Sequence, residues 1–123
     1  MAAPAERYLA APAREAIRQA IGEAEGNEVF FIGRPGESGV VEAVRVAARG
    51  TRRAVLALAG QVRHGEVVLH NHPSGELAPS ATDMQIASTL ADEGVGFLIV
   101  DNCATRVYAV VEPFGPGEEL QPL

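Results

Sequence analysis

With 123 residues, 47% of them apolar and 21% charged, the chain has the composition of an ordinary globular protein and the length of one domain. Ten basic against sixteen acidic residues leave a net charge of −6, which argues against nucleic acid or an anionic membrane as an autonomous partner, since both require a basic face. A lone cysteine, Cys103, excludes an intramolecular disulfide; no apolar run reaches the length of a membrane span, and Met1 to Pro12 lacks a signal-peptide pattern, so a cytoplasmic location is expected.

Residues 13–25 place Ala13, Ile17, Ala20, Ile21 and Ala24 at helical spacing with Arg and Glu opposite, and Gly26-Asn27 ends that helix. Glu28 opens the apolar run Val29 to Gly33, read as a buried strand. A Pro/Gly turn over 34–38 leads to a second strand over 39–48. Residues 53–62 fit strand or helix, with helix preferred. Val67, Val68 and Leu69 carry a strand over 65–70, and Pro73, which has no backbone donor, stops the ladder soon after. Residues 80–93 read as a helix with Ser80 as cap, Asp83 in the first turn, Met84, Ala87, Leu90 and Ala91 inward, and Gly94 as the stop. Strands over 95–101 and 106–111 form a hairpin through the turn at 102–105, and the Pro-, Gly- and Glu-rich stretch 112–123 reads as a linker or disordered end. The order predicts a mixed α/β domain, a curved mixed sheet packed against helices, with 1–12 as lead-in, 13–114 as the domain and 115–123 as the tail.

The chemistry concentrates between Gly65 and Asp83. His70 and His72 stand two apart on a predicted strand, so both imidazoles project from one face. With the Asp83 carboxylate from the next element they make a three-ligand set for Zn2+ with a fourth position open, the arrangement of a catalytic site. Taken singly, each feature has a plainer reading: two strand histidines, a Pro-Ser-Gly turn, and a capped helix start. The cap and ligand roles of S-x-x-D do not exclude each other. Other zinc classes fail on their ligands. A nucleobase deaminase needs H-x-E with P-C-x-x-C, a zincin needs H-E-x-x-H, and neither is present. His64 reads as a surface residue and Cys103 as structural, while Asn71 faces away from its histidine neighbours and is expected to brace the loop.

H-N-H-P followed, after the six residues 74–79, by S-x-x-D resembles the JAMM motif of the MPN/JAB zinc metallopeptidases. The wording H-N-H-P-S-G is most similar to the RadC-like bacterial branch; the likeness is dense over 65–94 and extends over 12–114. The resemblance implies a single MPN/JAB-type domain with Zn2+ on His70, His72 and Asp83. It further implies a general base at the start of the early strand, which falls on Glu28, and Ser80 as the residue that stabilises the oxyanion. Many relatives read E-x-x-G where this chain has Phe31 in the glycine's place, a departure that bears on the substrate path. The implied activity is hydrolysis of an isopeptide or peptide bond, deubiquitinase-like, at the C-terminal tail of a ubiquitin-like or sulfur-carrier-like protein. The alternative is a non-catalytic RadC-like accessory domain of a larger multidomain DNA-maintenance protein, in which another domain contacts DNA.

Overall fold

The computed structural model describes residues 2–50 and 60–114. In chain order these form β1 (Ala2–Pro4), a 3-10 turn (Ala5–Arg7), α1 (Ala11–Glu23), β2 (Val29–Pro35), β3 (Val41–Arg49), β4 (Val67–Asn71), α2 (Ala81–Asp92), β5 (Gly96–Val100) and β6 (Arg106–Val111).

Helix α1 starts two residues before the predicted start because Pro12 occupies its first turn, where no backbone donor is required. It buries Ala13, Ile17, Ala20 and Ile21, as the spacing predicts. It stops where Glu25 and Gly26 turn left-handed, and the Gly26 N–H donates back to the Ile21 carbonyl at 3.0 Å.

The six strands make one mixed sheet in the order β1-β6-β5-β4-β2-β3. Among the described strands β4 and β5 pair in parallel, bridged by α2 as a βαβ unit, and the other strand pairings are antiparallel. The central strands β4 and β5 are buried along their whole length, and β2 nearly so, because the sheet is covered on both faces. On one face Ile17, Ile21, Val29, Phe31, Val67, Leu69 and Leu98 pack with α1. On the other, Phe30, Ile32, Val68 and Phe97 pack against Ala87 and Leu90 of α2. The architecture is the expected α/β domain, a mixed sheet between helices.

Two expectations change, and a third lies mostly beyond view. Part of the stretch read as lead-in belongs to the fold: Ala2–Pro4 pairs with β6 in the sheet, and Leu9 is buried in the α1-side core. Met84 does not face inward but is 54% exposed, because α2 is rotated so that Asp83, Ala87 and Leu90 form its buried face. The helix predicted for 53–62 falls largely on 51–59, outside the described residues, and Gly60-Gln61 are in a turn. The strands of the predicted 95–111 hairpin pair as expected.

Candidate metal centre

Alternation along β4 sorts its side chains. Val67, Leu69 and Asn71 face α1, whereas Val68 and His70 face α2, and His72 follows on the α2 side just past the strand end. Antiparallel pairing then brings the start of β2 to the same end of the sheet. Phe30 is in register with His70, so the same register carried two residues further sets Glu28 against His72. Asp83 arrives from the first turn of α2, whose start Ser80 fixes. The Asp83 N–H donates to Ser80 Oγ at 3.0 Å and the Ser80 N–H donates to Asp83 Oδ2 at 2.9 Å, a reciprocal capping box.

The result is a cluster of His70, His72 and Asp83 whose candidate ligand atoms all lie within 4.8 Å of one another. His70 is fully buried and lies flat between Phe30 and Phe97, with centroids 4.9 and 5.0 Å away and planes within 1° of parallel. The sandwich fixes the imidazole plane and leaves its Nε2 edge facing the cluster. That Nε2 stands 2.9 Å from Asp83 Oδ1 and 3.9 Å from a Glu28 carboxylate oxygen. Although close, the His70 Nε2 contact with Asp83 is out of line for a hydrogen bond, and neither ring nitrogen of His70 has a hydrogen-bond partner among the described residues.

His72 makes the fit sharper. Its Nδ1 meets the Glu76 carbonyl at 2.9 Å, and a carbonyl only accepts, so Nδ1 carries the proton. In the neutral ring the bare Nε2 therefore faces Asp83 Oδ2 at 2.8 Å, acceptor against acceptor. A cation between them resolves the conflict, either a second proton on the ring or a metal ion. An Nδ1–H held by a backbone carbonyl with Nε2 turned inward is the usual support of a metal-binding histidine. The donor set of two imidazoles and one carboxylate suits zinc. Burial pushes the Asp83 carboxyl up, but His70, the Ser80 N–H and His72 together outweigh it and hold it well below the usual carboxylate range.

The sequence-predicted residues thus converge from three places, Glu28 from the start of β2, His70 and His72 from the end of β4, and Ser80 and Asp83 from the start of α2. Glu28 is partly buried beside His70, and a cleft lined by Ala24, Asn27, Glu28, Arg49, Gly50 and Pro73 opens next to it. Ser80 is exposed at the rim; its oxygen accepts from Asp83, and its own proton has no acceptor among the described residues. Phe31 is fully buried on the α1 face, away from the histidines, so the departure from E-x-x-G does not intrude on the cluster. Asn71 also faces away, buried and hydrogen-bonded to loops, and His64 is exposed. Two supporting residues escaped the sequence reading, Phe30 and Phe97; the alternation that puts Phe30 on the Glu28 face was the available signal for the first.

A family model described as RadC-like JAB domain matches residues 13–101. No curated protein matches the chain. Among the described residues, no helix is long and apolar enough to cross a membrane.

Proposed function

The chain belongs to the RadC-like JAB domain family, and from that premise we propose that it is a zinc-dependent metallopeptidase. Its substrate would be an isopeptide or peptide bond at the C-terminal tail of a ubiquitin-like or sulfur-carrier-like protein. The observation that carries this reading is the contact pattern of His72: a ring whose Nδ1 meets the Glu76 carbonyl turns its Nε2 toward Asp83, with His70 Nε2 also at the same carboxylate.

His70, His72 and Asp83 would hold the ion. When bound, zinc supplies a water nucleophile at neutral pH by lowering the pKa of water to about 7. Glu28 would take a proton from that water and deliver it to the leaving nitrogen, a role supported by its carboxylate, 3.9 Å from His70 Nε2 and lining the adjacent cleft. Ser80, with its oxygen engaged by the Asp83 N–H, keeps its hydroxyl proton for the developing oxyanion, a donor typically worth about 3 kcal/mol. The exposed cleft from Glu28 to Arg49 and Pro73 is where an extended tail would pass.

Two measurements test the proposal. Wild-type protein prepared without chelator should carry about one zinc per chain, and His72→Ala should carry none. Glu28→Gln should keep the metal yet lose cleavage of ubiquitin-like fusions by about 100-fold or more. A metal-free wild type that takes up no added zinc would remove the peptidase reading. The RadC-like match would then favour the second reading, a non-catalytic accessory domain of a DNA-maintenance protein. Undiminished cleavage by Glu28→Gln would remove Glu28 from its role.

A further inference from the structure

The Asn71 carboxamide is the one polar side chain of β4 on the α1 face, and every group it presents is engaged. Its Oδ1 accepts from the Val29 N–H at 2.8 Å. Its Nδ2 donates to the Asn27 carbonyl at 3.2 Å and to Asn102 Oδ1 at 2.8 Å. Asn102, in the turn between β5 and β6, in turn donates from Nδ2 to the Pro73 carbonyl at 3.2 Å. The orientation of both amides is dictated by their backbone partners, an N–H at one end of the chain and carbonyls at the others.

The residue enclosed by this arrangement is Glu28. Asn71 grips the peptide groups on both sides of it, the carbonyl of Asn27 and the N–H of Val29, as a neighbouring strand would grip them. A further bond, from the Gly50 N–H to the Glu28 carbonyl at 3.0 Å, ties the same residue to the end of β3. Meanwhile Asn102 joins Asn71 to Pro73, the residue after His72. The backbone that carries Glu28 and the backbone that carries His72 are therefore fastened to one relay, buried at Asn71 and reaching the surface at Asn102, on the opposite side of the sheet from the cluster itself.

We infer that Asn71 and Asn102 are positioning residues that hold Glu28 in place over His70 while touching neither metal site nor substrate. The role rests on the reading of Glu28 as the general base. Its signature differs from that of a ligand: loosening the relay should lower kcat and spare both KM and zinc content, since a misplacement of about 1 Å is enough to cost roughly 100-fold in rate.

The test uses Asn102, which lies at the surface end of the relay, because Asn71→Ala empties a buried polar position and risks the fold. Asn102→Ala removes the acceptor for Asn71 Nδ2. Asn102→Asp keeps that acceptor and exchanges the donor to Pro73 for a carboxylate oxygen, which cuts the Pro73 arm of the relay and leaves the Asn71 arm. In Asn102→Ala, hydrogen exchange at the Val29 amide should rise about tenfold, the scale of one lost hydrogen bond. The kcat for a ubiquitin-like fusion should fall with KM and bound zinc unchanged. Asn102→Asp should restore both readouts to near wild type, and in a Glu28→Gln background Asn102→Ala should cost nothing further in kcat. Unchanged Val29 exchange in Asn102→Ala would overturn the inference. So would an Asn102→Asp variant as impaired as Asn102→Ala, or an additive loss in the Glu28→Gln background. If the wild type cleaves no substrate, the peptidase reading falls by itself. The relay is then judged by Val29 exchange and by whether the Glu28 carboxylate leaves His70 in a crystal structure of Asn102→Ala; a carboxylate that stays put would overturn it.

Discussion

His70 lies flat between two phenylalanine rings with no exposed surface. Such packing removes the side-chain freedom that a metal would otherwise have to freeze out, and it presents Nε2 in one direction. Groups that orient a ligand from behind commonly contribute 10- to 100-fold in metal affinity. Phe97→Leu should therefore weaken zinc binding by about tenfold or more in a chelator competition. Phe31→Leu, equally buried but on the α1 face, should leave the affinity unchanged. Equal losses in the two variants would mean that the sandwich acts only through general stability. At this scale the sequence was legible where spacing dictates direction: the two-residue step from His70 to His72 gives a common face in any strand. It was not legible where the decisive partner is distant. Nothing local to Asn71 names Asn27, Val29 or Asn102 as its partners, because two distant segments, the start of β2 and the β5–β6 turn, must first be folded beside it.

Helix α2 shows how a functional residue sets the rotation of an element. Apolar spacing alone favours Met84 as an inward position, but a helix can bury only one stripe, and the cluster claims Asp83. With Asp83 turned in, Ala87 and Leu90 follow at the helical interval and Met84 swings into solvent. Leu90→Ala should cost about 2–5 kcal/mol of stability in denaturant unfolding. Met84→Gln should change it by no more than about 0.5 kcal/mol. A large loss for Met84→Gln would return the helix to the rotation that hydrophobicity predicts. The ends of α2 were readable because Ser80, Asp83 and Gly94 are specific signals; the rotation was not, because the buried carboxylate competes with the apolar pattern rather than adding to it.

For the molecule as a whole, topology is what assembles the cluster. An antiparallel β2 beside β4 returns the start of one strand to the end of the other, and the crossover through α2 delivers Asp83 to the same edge. The outer strand β1 closes the far side of the sheet on β6, and the Tyr8 hydroxyl donates to the Glu112 carboxylate at 2.9 Å, joining both ends of the described chain. Three residues of Ala-Ala-Pro carry no readable period, so this strand is visible only once β6 is there to receive it. Leu9, read from sequence as lead-in, lies 1% exposed among α1 and β3 residues. Leu9→Ala should accordingly cost about 2–5 kcal/mol, as a core position does. A loss under about 0.5 kcal/mol would return residues 1–12 to the status of a lead-in.

The capping box at the start of α2 has a practical corollary. Asp83 Oδ2 accepts from the Ser80 N–H and also meets His72 Nε2, so the helix start and the cluster share one oxygen. Any cation that draws on that oxygen withdraws electron density from the bond to Ser80. The Ser80 amide resonance is thus a built-in gauge of occupancy, readable in a spectrum of the intact protein before any substrate is known.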